Sequence, residues 1–128
     1  MFEINKPAVV AEVRAAHEAY ETALSGNDLA GMDRLFWNSE HVVRHGPTGS
    51  QYGHAAISAY RKGPPKGQRK RQFVKVVVTT FGDDFATTNA EYTYPDGPQV
   101  GRRAQTWIRT PDGWRIAAAH VSDLAIRR

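Results

Sequence analysis

Residues 101–122, with the sequence GRRAQTWIRTPDGWRIAAAHVS, constrain the fold of this chain more than any other stretch. Two runs of alternating apolar and polar residues flank the tetrapeptide TPDG. Because Pro presets φ for a turn and Gly accepts a positive φ, this tetrapeptide predicts a tight reversal. A period of two is typical of a strand, so the stretch predicts a long antiparallel hairpin.

The same period predicts which side chains of the hairpin share a face. Arg103 and Gln105 fall on one face of the first strand. Counting in steps of two along the second strand brings His120 and Ser122 to a single face. Polar groups among apolar ones on an inner sheet face are typical of a lined pocket. We therefore expect Gln105, His120 and Ser122 to line one pocket.

The rest of the chain predicts helices early and strands late. Apolar positions at steps of three and four predict the helices, and runs rich in Val, Thr and Phe predict the strands. The predicted elements are helices at 7–24, 29–36 and 54–61, and strands at 41–45, 72–81 and 85–94 before the hairpin. Residues 46–50, GPTGS, predict a loop. Helices segregated from an antiparallel sheet define an α+β fold, here as one domain over 1–128.

The net charge of +4 comes from one short stretch. Residues outside 61–71 comprise 11 basic and 13 acidic residues, a net charge of −2. We interpret the stretch as a solvated connector rather than a nucleic-acid-binding arm. Its six basic residues are Arg61, Lys62, Lys66, Arg69, Lys70 and Arg71.

Other classes are excluded by what the chain lacks. With no cysteine, disulfides, thiolate nucleophiles and cysteine-based metal sites are ruled out. Four histidines are scattered without metal-ligand spacing, so we expect neither metal nor cofactor; they are His41, His45, His54 and His120. No run approaches the ~20 apolar residues that span a bilayer, and no signal peptide is visible. We expect a cytoplasmic protein that binds no membrane.

Seven segments, in order along nearly the whole chain, resemble one family. They are YETAL, LFW, VRHG, YG, TTFGDDFAT, GRRAQTW and AAHVS. The chain resembles the AtzH-like group, which includes the HpxZ proteins, within the nuclear transport factor two (SnoaL-like) superfamily. The resemblance implies a cone-shaped, strongly curved antiparallel sheet with three helices in the N-terminal half, a cystatin-like α+β roll. It also implies a pocket inside the sheet and a homodimer.

The resemblance further implies a reaction and two residues that carry it. AtzH-like proteins are decarboxylating amidohydrolases that convert an N-carboxylated urea such as 1,3-dicarboxyurea to allophanate, and HpxZ members are associated with oxalurate or purine catabolism. The implied partner is thus a small ureido substrate bearing carboxylates. The family's catalytic tyrosine and arginine correspond to Tyr20 and Arg44. The alternative, also found in this superfamily, is a non-catalytic binding or oligomerising module.

Tyr20 and Arg44 have the chemistry that this reaction needs. A guanidinium binds a carboxylate at two points, although an arginine at a strand end can also face solvent. Loss of CO2 leaves an electron pair on nitrogen, and a phenol beside a guanidinium can protonate it. Tyr20 lies on the apolar stripe of the first helix, so plain core packing is its alternative. We hypothesise that Arg44 lies beside Tyr20.

The remaining predicted pocket residues have polar or aromatic side chains in the resembling segments or on the inner hairpin face. Packing in the core is the alternative for each. His120 and Ser122 do not predict a nucleophile and its base, because their backbones would be about 7 Å apart on one strand. The predicted pocket-lining residues are Trp37, Tyr52, Arg103, Gln105, His120 and Ser122.

Overall fold

A computed structural model describes residues 1–63 and 70–125, with the side chain of residue 125 left aside. Within these residues the chain forms three helices and six strands. The helices are α1 (Pro7–Ser25), α2 (Leu29–Leu35) and α3 (His54–Lys62). The strands are β1 (Val43–Gly46), β2 (Gly49–Tyr52), β3 (Gln72–Phe81), β4 (Phe85–Thr93), β5 (Gln99–Thr110) and β6 (Gly113–Ala125). The predicted α+β class is confirmed.

The helices begin where local chemistry favours a start. Pro7 occupies the first turn of α1, where its missing N–H costs nothing. The Asp28 carboxylate caps α2 by accepting a hydrogen bond from the Gly31 N–H at 3.0 Å. The buried stripe of α1 consists of Val9, Val13, His17, Tyr20 and Ala23. No helix in the described part of the chain is long and apolar enough to cross a bilayer.

The strands form one six-stranded sheet in the order β2-β1-β6-β5-β4-β3. Strands β3 to β6 form the predicted antiparallel meander. The expectation of a wholly antiparallel sheet is wrong, because β1 pairs with β6 in parallel. The chain can return in parallel because it passes through β2, α3 and the meander before reaching β6. The sheet is therefore mixed.

The prediction of a loop at 46–50 is also wrong. Gly46 pairs with Gly49, so only Pro47 and Thr48 form the turn, and β2 begins directly after it. A two-residue connection is the tightest that joins antiparallel strands. Gly and Pro lower strand propensity so strongly that this short hairpin resembles a loop in sequence.

The three helices cover one face of the sheet, called here the inner face. The fully buried side chains of Trp107 and Ile116 pack on it, beside Phe36 of the segment that follows α2. Alternate residues of β5 are buried and exposed, as a sheet with one covered face requires. The opposite, outer face carries the exposed side chains of this alternation.

A bulge in β6 changes which of its side chains face the helices. Thr106 pairs with Ala118 but Trp107 pairs with Ile116, so Ala117 is the extra residue. Beyond the bulge the alternation is shifted by one residue. His120 and Ser122 consequently lie on the outer face and are exposed. The prediction that they share a face with Gln105 is wrong, because strict alternation ignores the bulge.

Candidate functional site

Polar side chains from two helices, from β5 and from the residue before β3 meet under the inner face of the sheet. Tyr20 of α1 is 4% exposed, and its hydroxyl accepts a hydrogen bond from Arg61 Nη2 of α3 at 3.1 Å. The guanidinium carbon of Arg103 lies 5.4 Å from the centroid of the Tyr20 ring. We call this group the interior polar cluster. Its members are His17, Tyr20, Glu21, Arg61, Arg71, Arg103 and Gln105.

Arg103 is fixed by two side chains of α1. Its Nη1 lies 3.1 Å from Glu21 Oε1, and its Nη2 lies 3.1 Å from His17 Nε2. Because a guanidinium has only donors, the histidine nitrogen must accept, so His17 is neutral here. Burial and, to a smaller extent, the Arg103 charge lower the pKa of His17 to about 4. One helical turn thus clamps a buried cation.

Glu21 is shared between two arginines. Besides Arg103, it pairs with Arg71, whose Nη1 lies 3.3 Å from Glu21 Oε2. The guanidinium of Arg71 also lies over the Tyr92 ring at 5.2 Å. A single carboxylate therefore offsets part of the charge on both cations.

A chain of hydrogen bonds fixes the orientation of Gln105. Trp107 Nε1 can only donate, and it donates to Thr88 Oγ1 at 3.0 Å. The Thr88 hydroxyl then donates its one hydrogen to Gln105 Oε1 at 3.2 Å. The amide NH2 group of Gln105 is left for another acceptor, and its Nε2 has no hydrogen-bond partner among the described residues.

Other donors in the interior polar cluster are also buried without a hydrogen-bond partner in the described part of the chain. These are Nε of Arg61 and Nε of Arg103, whereas Nη1 of Arg103 has its ion pair with Glu21. Buried donors usually have partners, since a buried donor without a hydrogen bond lowers the free energy of unfolding by about 1–3 kcal/mol. Residues 64–69, PPKGQR, contain no Asp or Glu. The arrangement is suited to a ligand with several acceptor oxygens.

Arg44 lies on the same face of the sheet but does not contact Tyr20. Its Nη1 donates to Gln51 Oε1 at 2.9 Å, and its guanidinium lies over the Tyr60 ring at 5.1 Å. The hypothesis that Arg44 lies beside Tyr20 is thus not met, and Arg61 occupies that place. Arg44 pairs with Ala119, which pairs with Gln105. Two strand spacings, roughly 10 Å, therefore separate the backbones of Arg44 and Gln105.

The basic stretch at 61–71 is not uniformly a solvated connector. Arg61 and Arg71, at its two ends, are members of the interior polar cluster. Lys62 and Lys70 are exposed, as predicted. Lys66 and Arg69 lie outside the described residues. The prediction is wrong for the terminal arginines because Arg61 lies one turn after the buried Ile57 of α3, and Arg71, directly before β3, pairs with Glu21 of α1.

The other predicted pocket residues lie elsewhere. Tyr52 is 66% exposed, and its ring lies 6.0 Å from that of His45. Trp37 lines a separate surface groove, and its ring centroid lies 6.3 Å from that of His41, with the two rings tilted.

His120 and Ser122 line a depression of about 390 Å³ on the outer face, with Lys75 and Asn89. The structure thus brings Arg103 against Tyr20, with Gln105 two residues along β5 on the same face, and places Arg44 on that sheet face as well. It separates Trp37, Tyr52, His120 and Ser122 from them.

Sequence reasoning missed His17, Glu21 and Arg61 as members of the interior polar cluster. His17 lies four residues after the buried Val13 and three before Tyr20, so helical spacing could have placed it on the stripe. Arg61 likewise follows the buried Ile57 by four residues. Polar residues on an apolar stripe were the available signal.

Comparison with known proteins shows the family of this chain. The model of the AtzH-like family matches residues 2–126. A protein of unknown function from the DUF3225 family of Pectobacterium atrosepticum is 43% identical, with a TM-score of 0.90 and 94% of each chain covered. A cystatin-like fold protein from Burkholderia xenovorans is 45% identical, with a TM-score of 0.90, covering 99% of this chain and 100% of that chain.

More distant structures share the fold alone. A nuclear transport factor 2-like superfamily protein from Salmonella enterica is 21% identical, with a TM-score of 0.75 and 94% of each chain covered. The curated proteins gave no match. The family match spans nearly the whole chain, and the curved α+β fold agrees with it. The chain therefore belongs to the AtzH-like family.

Proposed function

We propose that the protein is a decarboxylating enzyme that removes CO2 from an N-carboxylated urea such as 1,3-dicarboxyurea, giving allophanate. The observation that carries this proposal is the buried Tyr20 hydroxyl bonded to Arg61, among buried donors that lack partners. Family membership points to the same chemistry. A related ureido acid of oxalurate or purine catabolism is a substrate of the same class.

The proposed step breaks the bond between nitrogen and the leaving carboxylate carbon. The electron pair of that bond stays on nitrogen, CO2 departs, and nitrogen takes the proton of the Tyr20 hydroxyl. The guanidinium of Arg61, already 3.1 Å from that oxygen, stabilises the phenolate that remains. Water then returns a proton to Tyr20. The balance is one dicarboxyurea dianion and one proton giving allophanate and CO2.

Arg44 is proposed to hold the leaving carboxylate before it departs. Its half-buried guanidinium lies against Tyr60 on the inner side of the sheet, where a planar fork can bind two oxygens. Position matters because the carboxylate must be held so that its bond to nitrogen is free to break. Arg44 and Tyr20 would therefore act on the same group from different elements.

We also propose that two copies of the chain form a homodimer through the outer face. Apolar side chains exposed there include Val77 at 40% and Phe85 at 57%, beside the half-buried Ile108. Apolar exposure of this kind favours an isologous contact between copies. Light scattering at micromolar concentration should give twice the mass of one chain, and a monomer would contradict the proposal.

The assay for the proposed reaction is CO2 release from freshly prepared 1,3-dicarboxyurea. Tyr20→Phe should keep the fold, because the ring still packs on the α1 stripe, and should reduce turnover by about 10²–10⁴. Tyr52→Phe removes the hydroxyl of an exposed tyrosine and is the matched control, with turnover expected within about twofold of wild type. Near-full activity of Tyr20→Phe would assign the phenol to core packing. No turnover by the wild type would favour the non-catalytic binding module.

A further inference from the structure

The interior polar cluster contains more arginines than carboxylates, so its positive charge is only partly neutralised. Glu21 is the carboxylate that pairs with Arg103, and it is shared with Arg71. Arg61 contacts neutral atoms, the Tyr20 hydroxyl and Met32 Sδ at 3.1 Å each. Even with Arg71 set aside, the two cations Arg61 and Arg103 have one carboxylate between them within the described residues, and it pairs with Arg103 alone. Buried charges of this kind are costly unless an opposite charge joins them.

The unpaired donors lie where an anion would meet this excess. Arg103 and Gln105 are two residues apart on β5, so their side chains leave the strand on the same face. Both residues are at most 4% exposed, and each has a buried nitrogen without a hydrogen-bond partner among the described residues. A charged donor beside a neutral one is a favourable pair for a carboxylate.

We propose that Arg103 is the specificity-determining residue of the interior site and makes it select ligands with two anionic ends over ligands with one. This inference rests on the proposed function and names the part of the substrate that Arg103 binds, the carboxylate that stays when CO2 leaves. Arg44 and Tyr20 act on the other end. Allophanate has lost one of the two anchored groups, so it binds more weakly than the substrate and leaves.

His17 and Glu21 give Arg103 this role by holding it still. A free arginine loses much rotamer freedom when it binds a ligand, which lowers affinity. Here two contacts at 3.1 Å from neighbouring turns of α1 restrict the guanidinium before any ligand arrives. The neutral His17 does so without adding an anion that would compete for the charge. Glu21 does compete, so it limits how strongly Arg103 attracts a carboxylate.

Two unreactive probes can separate charge from shape. Glutarate matches the chain length of 1,3-dicarboxyurea and carries a carboxylate at each end. Glutaramate has nearly the same shape, but a neutral amide replaces one carboxylate. Isothermal titration calorimetry of the full chain should show glutarate binding at least about tenfold more tightly than glutaramate.

Arg103→Gln should reduce this affinity ratio towards one, mainly by weakening glutarate binding. Arg14 is exposed and lies two turns before Glu21 on α1, so Arg14→Gln should leave the affinity ratio unchanged. A ratio near one in the wild type, or an unchanged ratio in Arg103→Gln, would overturn the inference. Failure of the wild type to bind glutarate would overturn it as well.

Glu21→Gln should change the affinity ratio in the opposite direction, and it can be used if Arg103→Gln does not fold. Removing the competing carboxylate should raise the ratio of glutarate to glutaramate affinity above that of the wild type. A purely structural role for Glu21 would weaken both probes equally, and an unchanged or lower ratio would count against the inference.

These measurements do not require turnover, so the two proposals can fail separately. Selection of glutarate through Arg103 without CO2 release from 1,3-dicarboxyurea would refute the proposed reaction and keep the dianion site. CO2 release with an Arg103-independent ratio would refute the dianion site and keep the reaction.

Discussion

Arg102 and Arg103 are neighbours on β5, yet their side chains are 60% and 2% exposed, respectively. Arg102 lies on the outer face, 4.0 Å from Glu91 across the sheet, where water screens the pair and its contribution is small. Arg103 lies on the inner face, clamped by α1. The same chemical group is thus a replaceable surface charge on one face and a fixed binding element on the other. Burial, rather than residue type, separates the faces.

The largest expected effect tests whether inner-face arginines need their geometry. Arg44→Lys should lose activity almost as completely as Arg44→Ala, by about 10²-fold or more, because an ammonium cannot reproduce a two-point contact. Arg102→Lys, the outer-face counterpart, should stay within about twofold. The measurement is steady-state CO2 release, with circular dichroism to establish folding. Substantial activity in Arg44→Lys would show that charge alone is sufficient on the inner face.

Stability should divide between the faces in the same way. Trp107 is fully buried against the helices, so Trp107→Ala should lower the free energy of unfolding by about 3–5 kcal/mol. Ile108, the next residue, is only partly buried on the outer face, and Ile108→Ala should lower the free energy of unfolding by about 1 kcal/mol. Urea unfolding at neutral pH measures both. Equal losses would indicate that the outer face is as well packed as the inner one.

The two faces should also differ in their dependence on pH. Burial and the Arg103 charge lower the pKa of His17 to about 4, against an ordinary value of 6.5. Between these values the unfolded chain binds a proton that the folded chain does not. The free energy of unfolding should therefore fall as pH drops from about 6.5 to about 4, by at most about 3 kcal/mol from this group.

Substitution of one histidine at a time isolates that contribution. His17→Gln keeps an acceptor for Arg103 but cannot titrate, so it should flatten the slope of unfolding free energy between pH 6.5 and 4. His120→Gln, on the exposed outer face, should keep the wild-type slope. Urea unfolding across this range measures all three proteins. An unaltered slope in His17→Gln would mean that other groups carry the acid sensitivity.

The smallest effect is expected for the outer depression. His120→Ala and Ser122→Ala should each leave CO2 release within about twofold of the wild type, because both side chains are exposed on the outer face, opposite Ala104 and Arg102. Loss of the His120 ring also removes its contact with the His45 ring, 5.7 Å away. Because this contact is exposed to solvent, its loss should change the free energy of unfolding little. A large loss of activity would show that the outer face takes part in the reaction.

Local rules predicted the elements of this fold well. Period and capping predicted the start of α1 at Pro7 and both ends of β3, because these signals are contained in neighbouring residues. The rules failed where a distant strand decides the outcome. The β6 bulge forms against β5, and β1 pairs in parallel with β6, and neither event has a local signature.

The site was predictable only in part for the same reason. Tyr20 and Gln105 follow from the inward faces of their own elements. Arg61, in contrast, belongs by composition to a basic stretch, and only the packing of α3 on α2 and α1 brings it to the Tyr20 hydroxyl. His120 was misplaced by a single extra residue, since each added residue in a strand reverses all later side chains.

The parallel pairing of β1 with β6 has a consequence for the order of folding. This ladder is three residues long and joins Val43 to Ala118, whereas only Pro111 and Asp112 separate β5 from β6. Loop closure over so long a segment is entropically costly, so the meander should form first and β1 should dock on it late. Short, late-forming ladders are also the ones that open most easily. Arg44 is placed by this ladder, so local opening at β1 would remove it from the site while the rest of the cone stays folded.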